Sequence, residues 1–323
     1  MLPTRFTELV GCELPIQQAG MGSVAGPDLA VAVSAAGGLG TVALHTVPAD
    51  IVAATLERMA RQTRAPFAFN VLMPFVGRDA VEAASSRCRL VELFYGDPDA
   101  DLVGLVHEGG ALAGWQIGSL AEAEAARDAG CDLVIAQGVE AGGHVRGRVG
   151  LLGLLSAVRD AVDVPVVAAG GIGNARTAAA AFAAGADAVR VGTRFVATQE
   201  ADAHPDYTAA LVDARAEDTI LTDTFSVMWP DAPHRVLRSC VDKVNALDDE
   251  TVGEIGVAGA SIPVPRRSVL VPTRSTSGSV DAMALYAGES VNDVAGVVPA
   301  RDVVAEITTG ADELLGHRGW QPV

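Results

Sequence analysis

Val164-Pro165-Val166-Val167-Ala168-Ala169-Gly170-Gly171-Ile172-Gly173-Asn174 decides how the rest of the chain is read. An apolar run of strand length ends in glycines, and the glycines lead to Asn174, a residue type that caps helices. The Ala-rich stretch Asn174–Ala184 follows and stops at Gly185, as a helix closed by a left-handed glycine does. Ala188-Val189-Arg190-Val191-Gly192-Thr193 then repeats the same strand-to-glycine move. Each strand is too short and too apolar to have a solvated face, so both read as buried parallel strands.

Working outward, the rhythm holds to the N-terminus. Strands are expected at Pro15–Ala19, Leu39–Leu44, Pro66–Val71, Leu90–Phe94, Leu112–Ile117 and Leu133–Ala136, besides Val164–Ala168 and Ala188–Val191. Helices are expected between them at Pro27–Ala36, Ala49–Gln62, Asp79–Ser85, Asp99–Glu108, Ser119–Ala129 and Leu151–Val162. Eight strand–helix units point to a (β/α)₈ barrel of the α/β class. A doubly wound sheet is the alternative, but Gly20-Met21-Gly22-Ser23-Val24-Ala25 supplies only the first two glycines of its usual turn.

Beyond strand eight the pattern loosens. His204–Ala216 reads as helix and Thr219–Val227 as extended. Val252–Ser279, rich in Gly, Pro, Ser and Arg, reads as a long loop or lid. Asp281–Ala287 and Pro299–Leu315 read as closing helices. The expected organisation is a barrel over 1–217, an extended region over the barrel mouth from 218 to 290, and a closing C-terminal helix within 291–323.

Composition narrows the partners. A formal charge of −17 argues against nucleic acid and anionic membranes, since nothing would neutralise phosphates in bulk. Lys243 is the single lysine. No apolar run has spanning length, and no basic end precedes an apolar run at the N-terminus, so a cytoplasmic protein is expected. A small-molecule partner fits this balance, and a homo-oligomer is compatible with it. Cys12, Cys88, Cys131 and Cys240 are scattered, without zinc-ligand spacing, and no metal is expected.

In such barrels the chemistry sits at the C-terminal strand ends. These are Gly20-Met21-Gly22, Asn70, Gln116, the run Gln137-Gly138-Val139-Glu140-Ala141-Gly142-Gly143-His144, then Gly170-Gly171, and Gly192-Thr193. The last two turns, on strands seven and eight, form the usual phosphate cradle, where glycine lets backbone N–H groups approach an anion. His144 is the acid/base candidate, because an imidazole exchanges a proton near neutral pH. Glu140 either orients it or points to solvent. His45 follows strand two and is a weaker candidate; His107 reads as a surface helix residue, and His204, His234 and His317 fall outside the repeat. Met21, Phe75, Met228, Trp229 and Tyr286 are candidate apolar walls.

At these residues the chain resembles the nitronate monooxygenases. The resemblance lies in Pro15–Gly22, Ala35-Ala36-Gly37-Gly38-Leu39-Gly40, the Gln137–His144 run, Ala168–Ile172 and Arg190-Val191-Gly192-Thr193-Arg194-Phe195. It implies FMN as cofactor, held by Ala19, Gly20, Met21, Asn70, Gln116, Gln137, Gly142, Gly143, Gly170, Gly171, Arg190, Val191, Gly192 and Thr193. The neutral amides of Asn70 and Gln137 suit a flavin ring edge. It also implies oxidation of nitronates or nitroalkanes by O₂, with His144 taking the proton beside the nitro group. Two departures stand out. Val145-Arg146-Gly147 replaces a tighter His-Arg-Gly run, which would reshape the pocket rim. Glu289 stands where Gln is common, which would put a negative charge near the flavin edge. FMN-dependent enoyl-[acyl-carrier-protein] reductases and NADH:quinone reductases share these motifs and are rival readings. A barrel that only binds a phosphorylated ligand is a third, in which His144 would be dispensable.

Overall fold

A computed structural model describes residues 3–44, 47–75, 77–257 and 260–316. Its strands and helices alternate: β1 (Ile16–Gln18), α2 (Pro27–Ala35), β2 (Gly40–Ala43), α3 (Ala49–Gln62), β3 (Phe67–Leu72), α4 (Arg78–Ser85), β4 (Leu90–Phe94), α5 (Ala100–Glu108), β5 (Leu112–Ile117), α6 (Leu120–Asp128) and β6 (Leu133–Gln137). They continue through the short strand β7 (Gly143–His144) to α7 (Leu151–Ala161), β8 (Val166–Ala169), α8 (Ala175–Ala183) and β9 (Ala188–Val191). The chain is led in by α1 (Arg5–Val10), which the sequence pattern did not disclose.

The parallel order β1-β9-β8-β6-β5-β4-β3-β2 runs once around, and the bridge Gln17–Leu39 joins β1 back towards β2. The eight parallel strands therefore form a (β/α)₈ barrel, and the doubly wound alternative falls, since β1 has neighbours on both sides. Alternation in each strand sorts the side chains. One set packs under the helices in the main core, for example Phe69, Val91, Val134 and Val166. The other fills the barrel bottom: Ala68, Leu90, Leu133, Ile135, Val167 and Ala188, plugged from below by Phe6 and Val10 of α1. That helix is short but has a reciprocal cap between Thr4 and Thr7, and Arg5 ties it to Asp187 at 2.7 Å.

The later part of the chain is more ordered than the sequence pattern indicates. After α9 (Thr193–Val196) and α10 (Pro205–Asp213), the strands β10 (Thr219–Thr222) and β11 (His234–Leu237) pair antiparallel, and β11 also pairs with β7. Helix α11 (Arg238–Asn245) follows. Val252–Ser279, expected as a loop, contains strands β12 (Thr251–Val257) and β13 (Ala260–Pro265) paired antiparallel; residues 258–259 of that stretch lie outside the described residues. Four of the six β13 positions are exposed, so the alternation that marks a buried strand is missing. Asp281–Ala287 is no helix: only Val280–Ala282 makes a 3₁₀ turn, and Tyr286 then bridges Val236 antiparallel. Helix α12 (Ala300–Gly316) packs on α8 and α2 as the closing helix.

Candidate active site

A cavity of about 260 Å³ opens at the C-terminal ends of the barrel strands. Of the residues picked from the sequence, Ala19, Gly20, Met21, Asn70, Gln116, Gln137, Gly142, Gly143, His144, Gly170, Gly171, Arg190, Gly192 and Thr193 all line it. Val191 does not: it is fully buried, and only its carbonyl takes part, accepting the N–H of Ala19 at 2.9 Å. The candidate walls Met21, Phe75, Met228, Trp229 and Tyr286 line the cavity as well. His45 lies outside the described residues.

The glycine turns have a physical reason. Gly170 and Gly171 hold φ of 105° and 67°, a left-handed conformation that a Cβ disfavours. Beside them Gly142 touches Gly288 so closely that a Cβ would fall 2.4 Å from the Gly288 nitrogen. Gly288 N–H in turn donates to Thr193 Oγ1 at 3.0 Å, sewing the segment after Tyr286 to the turn after β9.

His144 is held by a ladder rather than by a free loop. It forms β7 with Gly143, paired residue for residue with His234 of β11, and Val145 N–H donates to the Pro233 carbonyl at 2.8 Å. Its ring lies against Trp229, with Tyr95 edge-on and Tyr286 tilted at 5.6 Å. Burial pushes the Tyr95 phenol up to about 12, so it carries its proton at neutral pH. Tyr95 adopts φ 67°, a strained value for a bulky residue that sits next to the reactive candidate.

Behind His144 stands His234, fully buried, with ring centroids 5.2 Å apart. Its Nε2 accepts the Phe225 N–H at 3.1 Å, which leaves Nδ1 to donate to the Ala232 carbonyl at 2.9 Å and fixes the tautomer. Desolvation lowers its pKa below the usual histidine value, against the opposing backbone hydrogen bond. The sequence placed His234 outside the repeat; only the β7–β11 pairing brings it here.

Glu140 neither reaches for the imidazole nor points to solvent. Its carboxylate accepts the Leu151 N–H at 2.9 and 3.0 Å and so caps α7, whose own N-cap, Gly150, has no side chain to offer. Glu289 does not line the cavity either; it meets Arg235 at 3.3 Å, so the expected charge is turned away. Arg146 pairs with Glu122 and Asp97 and does not line the cavity. His107 pairs with Asp132, and His204 caps α10.

Behind the cavity lining lies a residue that sequence reasoning missed. Glu92 of β4 is 1% exposed and forms a two-pronged ion pair with Arg190. The signal was present in Leu90-Val91-Glu92-Leu93-Phe94, a charge in a strand otherwise fully apolar, which must find a partner when buried.

The (β/α)₈ barrel thus brings the two glycine turns of its last two strands and the imidazole of His144 to one cavity at its mouth. The family model described as nitronate monooxygenase matches residues 3–83 and 73–310. The chain belongs to the nitronate monooxygenase family and is an oxidoreductase. A (3aS,4S,5R,7aS)-5-hydroxy-7a-methyl-1-oxo-octahydro-1H-indene-4-carboxyl-CoA dehydrogenase of Rhodococcus jostii is 36% identical over 256 residues, 76% of this chain and 68% of the relative. FabK from Thermotoga maritima superposes with a TM-score of 0.82 at 29% identity, covering 99% of this chain and 100% of that one. A nitroalkane oxidase from Streptomyces ansochromogenes superposes with a TM-score of 0.78 at 31% identity, covering 98% and 100%. Among the described residues no helix is long and apolar enough to cross a membrane, and no side-chain cluster could hold a metal.

Proposed function

We propose that this chain holds FMN in the barrel mouth and oxidises nitronates, and nitroalkanes after deprotonation, with O₂ to a carbonyl compound and nitrite. The observation that carries the reading is the juxtaposition in one cavity of the two glycine turns and His144. The residues present fit the cofactor. The Gly170-Gly171 and Gly192-Thr193 turns would take its phosphate on backbone N–H groups. Gln137 keeps a buried oxygen, Oε1, without a hydrogen bond, an acceptor suited to a ring N–H. Ala19, Gly20 and Met21 supply small or pliant surface beside the ring, and Gln116 and Arg190 supply donors. FMN, when bound, provides the electron exchange with substrate and O₂ that no side chain offers.

His144 would then accept the proton from the carbon beside the nitro group, at one imidazole nitrogen, or hold the nitronate by a hydrogen bond. Tyr95, Trp229 and Tyr286 exclude water and keep that ring in place. Phe75, Met228 and Trp229 wall the cavity with apolar surface beside His144.

A second reading is dehydrogenation of a CoA thioester, favoured by the 36% identity to a CoA-ester dehydrogenase. A reductase that takes electrons from NAD(P)H, on an enoyl or quinone substrate, is a further alternative. One experiment separates them. The purified FMN-loaded enzyme is mixed anaerobically with a nitronate, an acyl-CoA, NADH and NADPH in parallel. Bleaching of the flavin by the nitronate alone supports the first reading; bleaching by acyl-CoA or by a nicotinamide, with none by the nitronate, overturns it.

A further inference from the structure

The buried carboxylate of Glu92 is shared among three partners. Its Oε2 accepts from Arg190 Nη1 at 2.5 Å and Gln17 Nε2 at 2.7 Å; its Oε1 accepts from Arg190 Nη2 at 2.7 Å and Asn70 Nδ2 at 3.0 Å. Asn70 and Arg190 line the cavity, whereas Glu92 and Gln17 lie outside its lining. A carboxylate can only accept hydrogen bonds, so Asn70 must give it the amide nitrogen and keep Oδ1 for the other side. That oxygen faces Gly20, a cavity residue, close enough that a Cβ there would come within 2.8 Å of it. Gln137 is oriented by the same logic. Its Nε2 donates to the His144 carbonyl at 3.0 Å and its Oε1 stays unsatisfied.

Two amides thus bring acceptors to the cavity, and a guanidinium brings donors whose charge is already cancelled. We propose that Glu92 is a positioning residue for the flavin: it turns the Asn70 carbonyl oxygen to the ring edge and neutralises Arg190, so that the floor donates hydrogen bonds without a net positive field. This rests on the FMN reading of the cavity. It predicts two separable effects. Without the carboxylate, Asn70 is free to turn over and FMN binds more weakly. The bared Arg190 charge also favours the reduced, more negative flavin, so the midpoint potential rises.

The experiment uses the full chain, stripped of cofactor and titrated with FMN by fluorescence quenching, with the midpoint potential measured on the reloaded protein. Glu92→Gln is expected to bind FMN at least tenfold more weakly and to have a more positive potential than the wild type. A buried guanidinium without its partner threatens folding, so the double variant Glu92→Leu/Arg190→Met is measured beside it. The double variant is expected to keep the FMN affinity low while its potential stays near that of the wild type. Glu92→Gln with wild-type affinity and potential overturns the role of Glu92 and leaves FMN binding intact. If Glu92→Gln does not fold, a double variant with wild-type affinity overturns it equally. A wild-type chain that takes up no FMN overturns the cofactor reading itself.

Discussion

The imidazole of His144 lies flat on the indole of Trp229, with ring centroids 3.9 Å apart and planes 22° from parallel. Tyr95 packs edge-on against the indole at 4.7 Å, and Phe75 does so at 5.0 Å. The indole comes from a segment with two non-glycine residues in the left-handed region, Met228 at φ 79° and Asp231 at φ 55°. Such backbone costs on the order of 1–3 kcal/mol per residue and persists where its surroundings demand it. The stack leaves no space between the two rings, so a substrate meets the imidazole at its edge or on its other face.

Trp229→Ala therefore loosens the imidazole. An aromatic pair is worth about 0.5–1.5 kcal/mol beyond its buried area, a roughly two- to tenfold change in the population of the held ring. Flavin reduction by a neutral nitroalkane, which needs the imidazole as base, followed by anaerobic stopped flow, is expected to slow by about that factor, and Trp229→Phe should restore most of the loss. An unchanged rate in Trp229→Ala would show that the β7–β11 ladder alone holds the ring.

His144→Ala separates proton transfer from binding. General-base catalysis contributes on the order of 10²–10⁴-fold. Reduction by a neutral nitroalkane should fall by about that much, while a preformed nitronate, which needs no base, should lose far less. Equal losses on the two substrates would assign His144 a binding role instead.

Most of the barrel was legible because its signals are local. An apolar run, a glycine and a capping residue mark each strand–helix unit within about 30 residues of sequence. The placement of Gly170, Gly171, Gly192 and Thr193 at the cavity followed from the same signals. What escaped depends on contacts distant in sequence. His234 reaches the site only because β11 pairs with β7, some 90 residues upstream. The β12–β13 hairpin escaped because its exposed strand lacks alternation. Glu92 was visible as a charge inside an apolar strand, yet its partner Arg190 lies 98 residues away.

His234 gives the fold a pH dependence whose sign is fixed. Its folded pKa lies below the ordinary value near 6.5, because burial disfavours the imidazolium. Between the folded and the ordinary value the unfolded chain binds more protons, so stability rises with pH through that window and is level above it. The stabilisation from the neutral ring is present above about pH 6.5 and is lost as pH falls towards the folded pKa. His234→Gln can still accept the Phe225 N–H but no longer titrates. Thermal melts from pH 5 to pH 7.5 should show a shallower acid slope in the variant. Parallel slopes would mean that other groups govern this range.

Glu140 provides a control that sits one loop from His144. Its carboxylate caps α7 through the Leu151 N–H, in place of the side chain that Gly150 lacks. Losing such a cap costs about 0.5–2 kcal/mol. Glu140→Ala should lower the melting temperature by a few degrees, and Glu140→Gln, which keeps one accepting oxygen, should recover part of that. Because the carboxylate serves the helix, the nitroalkane-to-nitronate rate ratio that reports on His144 should stay at its wild-type value in both variants. A ratio that falls in Glu140→Gln, without a matching loss of stability, would instead tie the carboxylate to the imidazole's proton chemistry.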